Sequence, residues 1–340
     1  MSLEEAWYKK RSWLQLLRPL EWLFVALAKR RRQQYCSGKR ESWKAPVPVL
    51  VVGNISVGGT GKSPLVIWLI EQLRQQGFKP GVVSRGYKAK PPAFPYLVTE
   101  NSSVVEAGDE PQMIVRRTGV PMVIDPDRVA AAKYLLQRSD CDLIISDDGL
   151  QHYALQRTVE IAVLDGKRGV GNGYCLPAGP LREPVSRLSE VDLIVVNSGT
   201  DQFLPQSLHH RCYSMSIAAD SLQRLDRSEA VALASWVGER HVHAVAGIGN
   251  PQRFYDSLAD SGFTVIPHSF PDHYQFTESD LHFDDEMALI MTEKDAVKCD
   301  HMALENSWYL QINAVLDKRF LRSLLQAIEQ NSNSDRLING

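Results

Sequence analysis

Sixteen residues, Val49 to Pro64, constrain this chain more than any others. Val49-Leu50-Val51-Val52 is an apolar run of the kind that forms a buried strand. Gly53 to Gly61 follows as a glycine-rich turn, and Gly61-Lys62-Ser63 leads into a helical pattern from Pro64 to Gln76. Strand, glycine-rich loop and helix in that order are the context of a phosphate-binding loop. The glycines let successive backbone N–H groups turn into one concavity, and the helix N-terminus adds its partial positive charge there. Gly58, Gly59, Thr60, Gly61, Lys62 and Ser63 are therefore the expected phosphate cradle. Lys62 reaches for the β- and γ-phosphates of a nucleotide, and the Ser63 hydroxyl is placed for Mg²⁺. One position departs from the usual pattern: Ser56 stands where the first glycine is expected.

The rest of the chain supplies what such a loop needs. Asp142-Leu143-Ile144-Ile145-Ser146-Asp147-Asp148 is a second apolar strand, ending in paired aspartates. In nucleotide-binding folds of this type the acid at such a strand end holds Mg²⁺ directly or through water. Two adjacent carboxylates repel, and a cation beside them makes their joint ionisation easier. Further apolar runs end in polar groups: Gly81–Arg85, Glu160–Asp165 and Asp192–Asn197. Open α/β sheets bind ligands at those carboxyl ends. The long loop Lys167–Pro184 is rich in glycine, and loops of that length in compact domains are commonly functional. The fold class expected is α/β: a mainly parallel, P-loop-type sheet flanked by helices, followed by a smaller C-terminal α/β domain.

Composition narrows the class. A net charge of −2 gives no global footprint for nucleic acid. Five scattered cysteines with no Cys-x-x-Cys argue against a disulfide framework or zinc site and fit a reducing cytoplasm. No secretory cleavage pattern follows the first residues.

Residues 1–40 stand apart, with ten Lys or Arg against three Glu. Between the basic clusters Trp13, Leu16, Leu17, Leu20, Leu23, Phe24 and Leu27 step by three and four, one stripe of a helix. Pro19 either kinks that helix or starts a second one. The apolar run is too short to span a bilayer, which needs ~20 residues, and suits an anionic membrane interface instead. The expected division is a membrane-associating helix over 1–35, a P-loop core over 36–205, a linker over 206–225, a C-terminal α/β domain over 226–330 and a disordered tail over 331–340.

Taken together, these stretches resemble one family. Gly53–Pro64, Ser84–Tyr87, Gly108-Asp109-Glu110-Pro111, Asp147–His152, Leu176–Glu183, Gly247–Phe254, Phe270–Phe276 and Thr292–Lys298 match the tetraacyldisaccharide 4′-kinases, the lipid A 4′-kinases of Gram-negative bacteria. The resemblance spans about residues 10–300, and Ser56 is a feature of that family's own loop. It implies ATP-dependent phosphorylation of the 4′-hydroxyl of tetraacyldisaccharide 1-phosphate, giving lipid IVA. It also implies a peripheral enzyme on the cytoplasmic face of the inner membrane, with a lipid substrate and no obligate protein partner. By the resemblance Ser63, Asp147, Asp148 and Glu110 hold Mg²⁺. Asp109 and His273 act together on the sugar hydroxyl, with Asp109 as base and domain closure completing the site. Arg85, Arg182 and Glu183 are secondary candidates. From the residues alone, a membrane-associated P-loop ATPase acting as a switch, with no phosphoryl acceptor, also stays open.

Overall fold

The computed structural model describes residues 3–9, 11–300, 302 and 304–338. Residues 1–2 and Lys10 of the expected N-terminal helix, and 339–340 of the expected tail, lie outside them.

The strand β1 (Val49–Gly53) shows why the sheet is central. Its residues are buried on both faces. Leu50 and Val52 join one apolar core, while Val49 and Val51 join another, as the two-residue period of a strand requires. Around it lie β2 (Pro80–Ser84), β3 (Tyr96–Val98), β4 (Met122–Ile124), β5 (Leu143–Asp147), β6 (Val159–Asp165) and β7 (Leu193–Asn197). β5 and β6 both pair with β1 in parallel, so the loop after β1 leaves the sheet between two strands that go opposite ways in the order. That is the crevice where open α/β sheets bind ligands. The helices α3 (Lys62–Gln75), α5 (Asp109–Thr118) and α6 (Arg128–Arg138) cover its faces. The short α4 (Val104–Ala107) carries a Ser103/Glu106 capping box.

The C-terminal half holds β10 (His241–Ala246), α7 (Pro251–Asp260), β11 (Thr264–Ser269), β12 (Ala288–Thr292), α8 (Glu293–Ala296) and β13 (Ser307–Leu316). It is not tethered by a linker. Residues 206–211 form a 3-10 turn, and 212–224 form a thirteen-residue strand, β8 (Cys212–Arg224). β8 pairs in parallel with β7 at its start and antiparallel with β13 over the rest. A short β9 (Ala230–Ala232) pairs with β8 as well. The described strands therefore form one sheet in the order β11-β10-β12-β13-β8-β7-β6-β1-β5-β2-β4-β3. The expected linker over 206–225 is corrected: its extended texture is that of a strand with partners on both sides.

The chain end differs too. Helix α9 (Lys318–Ile338) crosses back onto the P-loop half, where Phe320, Leu324 and Ile328 join the core containing Leu50 and Leu65. Phe320 packs edge-on against Tyr213 and tilted against Trp68. The helix runs on to Ile338, past residue 331, where a tail without structure is expected. At that point Asn331 donates to the Thr158 carbonyl, which ties this turn of the helix to the start of β6.

At the other end, α1 (Leu3–Tyr8) and a 3-10 turn precede α2 (Arg18–Cys36), with Pro19 in its first turn. The expected single stripe is split. Phe24 packs inward on the core and Leu17 on a small cluster of Ala6, Trp7 and Leu14. Leu16, Leu20, Trp22 and Leu23 face outward, Leu16 at 81% exposure, and Leu27 is exposed as well. Glu21 is buried on the inner side, accepting from the Cys175 amide and pairing with Arg18. Trp7 Nε1 donates to the Pro177 carbonyl. The N-terminal segment is thus docked on the loop that follows β6. Among the described residues no helix is long and apolar enough to cross a membrane.

Candidate active site

The carboxyl ends of the strands from both halves converge on one cleft of about 1210 Å³. Gly58, Gly59, Gly61, Lys62, Ser63, Asp109, Glu110, Asp147, Asp148 and His273 all line it. Residues separated by more than 200 positions in the chain are thereby brought together.

The glycine-rich loop is held from behind. Asn54 Nδ2 donates to the Gly58 carbonyl and the Thr60 hydroxyl, each at 3.4 Å. Asn197, at the end of β7, donates to the Thr60 carbonyl at 3.0 Å. Thr60 is buried, so its side chain builds the loop rather than facing a ligand. Gly61 has φ +91, and a Cβ there would run into the Asn197 side chain. Only glycine meets both demands. Helix α3 starts at Lys62, directly after that turn.

Facing the loop are the two aspartates at the end of β5, and their environments differ. Asp147 is almost fully buried, and its Oδ2 accepts from Ser84 Oγ at 3.2 Å. Its Oδ1 has no hydrogen-bond partner among the described residues. Burial, with the Glu110 and Asp148 charges nearby, pushes its carboxyl up to about 7. Asp148 takes the left-handed conformation, φ +48, which turns it towards the loop. Partial burial pushes it up, but Lys62 at 3.5 Å and Arg182 at 3.0 Å outweigh this and hold it below the usual carboxylate range. Nearby, burial and the Arg128 charge push His152 down to about 4, so the ring is neutral at pH 7.

A magnesium ion fits this donor set. The orphaned Oδ1 of buried Asp147 and the Ser63 hydroxyl at a helix start are both oxygen donors. Among the described residues no cluster of three or more His, Cys, Asp or Glu has the geometry of a metal cage. Mg²⁺ is commonly held by one or two carboxylates, substrate phosphates and water. Glu110 lies further out and engages Lys294 at 3.5 Å. Lys294 also meets Asp272 at 3.2 Å; burial pulls its ammonium down, but the two carboxylates outweigh that and raise it.

Across the cleft, Asp109 is the first residue of α5 and is buried. His273 Nδ1 lies 2.9 Å from Asp109 Oδ2. His273 has φ +66, an uncommon conformation outside glycine that clusters at functional sites. Tyr87 tilts against its ring at 5.6 Å between centroids.

Several cleft residues were not singled out from the sequence. Arg253, on α7, crosses the cleft to Asp165 at the end of β6, 3.2 Å away. Ser84, at the head of the Ser84–Tyr87 stretch, and Asn197 are strand-end groups to which the sequence gives no role. Lys298, the last residue of the Thr292–Lys298 stretch, is fully buried beneath Asp109 and beside Asp295. Glu183, already a secondary candidate by the resemblance, is a buried acceptor for Gln151 and for the Tyr153 hydroxyl.

Comparison with known proteins agrees with this arrangement. The family model described as LpxK, tetraacyldisaccharide-1-P 4′-kinase, matches residues 13–329. The tetraacyldisaccharide 4′-kinase of Pseudomonas putida (strain W619) is 49% identical over 310 residues, 91% of this chain and 90% of that protein. That of Azotobacter vinelandii is 49% identical over 318 residues, 94% of each chain. A crystal structure of LpxK from Aquifex aeolicus in complex with ATP superposes with a TM-score of 0.78. It is 29% identical and matches over 94% of this chain and 99% of that one. With a P-loop, paired aspartates and a carboxylate–imidazole pair in one cleft, and relatives matched over nearly their whole length, the chain belongs to the tetraacyldisaccharide-1-phosphate 4′-kinase family.

Proposed function

We propose that the cleft transfers the γ-phosphoryl group of ATP to the 4′-hydroxyl of tetraacyldisaccharide 1-phosphate, with Asp109 and His273 acting as one unit on that hydroxyl. The reaction class is that of the family: an ATP-dependent kinase of lipid A biosynthesis. A switch protein without an acceptor would have no use for a carboxylate–imidazole pair opposite the P-loop.

Phosphoryl transfer asks the protein mainly for positioning and for charge at the transferring group. Lys62 and the amides of Gly58 to Ser63 receive the phosphates. Ser63 and Asp147 would hold Mg²⁺, with Asp148 and Glu110 as outer partners, and the ion would supply charge neutralisation at the phosphates. Asp148 keeps Lys62 and Arg182 aimed at the phosphates. Asp109 accepts the proton of the 4′-hydroxyl as its oxygen attacks phosphorus and ADP leaves. His273, donating from Nδ1, holds that carboxylate in line. The observation that carries this reading is the 2.9 Å contact between His273 and Asp109, with both side chains lining the nucleotide cleft. A pair already formed does not need closure of two separate domains to assemble it.

The lipid is drawn from a membrane surface. Leu16, just before α2, and Leu20, Trp22 and Leu23 on it are exposed, as are Lys29 and Arg30 further along, while Phe24, Leu27 and Arg31 of α2 line the cleft. An interfacial helix that forms the rim of the site would present acyl chains to it.

A double-mutant cycle on kcat tests the Asp109–His273 unit. Asp109→Ala and His273→Ala should each lower kcat at least ~100-fold with ATP binding intact. The double variant should be only slightly worse than the more damaged single one. Losses that multiply would show two independent groups and refute the coupled unit.

A further inference from the structure

Lys298 is a charged side chain with no solvent exposure, and the reaction described above gives it no role. It follows α8, in the C-terminal half. Its Nζ donates to Asp295 Oδ1 at 2.7 Å and lies 3.6 Å from Asp109 Oδ2, with the Phe276 ring 5.4 Å from its charge. Asp295 is also fully buried, and its other oxygen accepts from Thr292 Oγ1 at 2.6 Å and from the Gly247 amide at 2.9 Å. Gly247 in turn takes the His273 amide on its carbonyl, at 3.3 Å. A closed ring results: Asp109, His273, Gly247, Asp295, Lys298 and back to Asp109.

We propose that Lys298 is a positioning residue for phosphoryl transfer. It pins one oxygen of Asp109 from beneath and, through Asp295 and Gly247, fixes the His273 backbone to the same frame. This rests on Asp109 acting as the base. Both the ammonium and the imidazole meet Oδ2, and Oδ1 takes no hydrogen bond from the described residues. With one carboxylate oxygen held twice, the other is left to meet the hydroxyl in a single orientation. The ring also gives the left-handed His273 a restraint on both its backbone and its side chain, which an uncommon conformation needs. A buried ammonium between two carboxylates is more than packing requires, since apolar residues of similar volume fill such sites at least as well.

The test uses the full chain, with lipid phosphorylation and nucleotide binding measured separately. Lys298→Met should lower kcat about 100-fold, the scale on which a displaced reacting group is felt. KM for both substrates and the ATP dissociation constant should stay within about threefold, because the P-loop is untouched. Lys298→Met leaves Asp295 as an unpaired buried charge, so the Asp295→Asn/Lys298→Met pair is made alongside it to keep a folded protein. Its kcat should be equally low. In an Asp109→Ala background Lys298→Met should remove less than a further twofold. An equal loss in both backgrounds would overturn the proposal, because Lys298 would then act without Asp109. So would near-normal turnover by the folded Lys298→Met or paired variant while Asp109→Ala is inactive. Near-normal turnover by Asp109→Ala would instead overturn the assignment of the base.

Discussion

Replacing Asp147 by Asn should make the protein more stable and the enzyme far worse, and the first effect should depend on pH. Asp147 is buried, keeps one oxygen on Ser84 and has the other unpaired among the described residues. Its carboxyl is raised from an ordinary 3.8 to about 7. A group whose folded value is raised leaves stability intact below its unfolded value and removes it as pH climbs through the folded one. The penalty grows from about pH 4 and levels off above pH 7. At ~1.36 kcal/mol per tenfold change in acidity, it reaches on the order of 4 kcal/mol at pH 8.5. An entropy of unfolding of ~2.1 cal/mol/K per residue turns that into a rise in Tm of about 6 °C for the variant. At pH 5 only about a third of the penalty has developed, so the gap should shrink to about 2 °C. Asn keeps the shape and can still accept from Ser84, so packing should contribute little at either pH. Differential scanning fluorimetry of both proteins without nucleotide or Mg²⁺, at pH 5 and 8.5, measures the gap. An equal gap at both values, or a wild type that melts above the variant at pH 8.5, would refute the reasoning. In the same samples turnover with Mg²⁺-ATP should drop at least ~100-fold, because the amide cannot supply the charge the ion requires.

Three further outcomes are expected. Lys62→Ala and Asp148→Ala should each remain folded and lose at least ~100-fold in turnover, and near-normal lipid phosphorylation by either would remove it from the site. Gly61→Ala should weaken ATP binding at least ~10-fold in a calorimetric titration, since its left-handed turn and the Asn197 side chain leave no room for a methyl; unchanged affinity would mean that the loop rearranges freely. Changing Leu16, Leu20, Trp22 and Leu23 to Ser should release the protein from anionic vesicles in a sedimentation assay and leave its melting temperature within a few degrees. High salt should release the wild type only in part, because apolar burial is not screened; full release by salt would show that charge alone binds it.

What could be read from the sequence followed the range of the signal. β1, β5 and the turn between Gly58 and Lys62 are specified by residues within one short window, so apolar runs and glycines reveal them. The Asp147–Asp148 pair was legible for the same reason, but the division of labour between them was not. That depends on Ser84, Lys62, Glu110 and Arg182, which arrive from four other places in the chain. β8 could be read as extended but not as a ladder strand, because its partners lie just before it and some ninety residues after it. In α2, Glu21 sits in a stripe that reads as amphipathic, yet it turns inward to the Cys175 amide. Helical periodicity locates a face and leaves unsaid which face meets the protein. His273 and Asp109 were paired by family resemblance; nothing local to either residue brings them within 2.9 Å.

The return of α9 onto the P-loop half has a consequence for biogenesis. Phe320, Leu324 and Ile328 fill a core most of whose other members, from Leu50 to Val195, are made early. β8 likewise lacks its long antiparallel partner until β13 has been translated. At ~5–20 residues per second, roughly 6–25 s separate the end of the P-loop half from the emergence of α9. Through that interval the nascent sheet presents an open edge and an unfilled apolar face, both aggregation-prone. A stop codon or frameshift before Lys318 would therefore damage the nucleotide-binding half, made first, although every residue of its loop had already been synthesised.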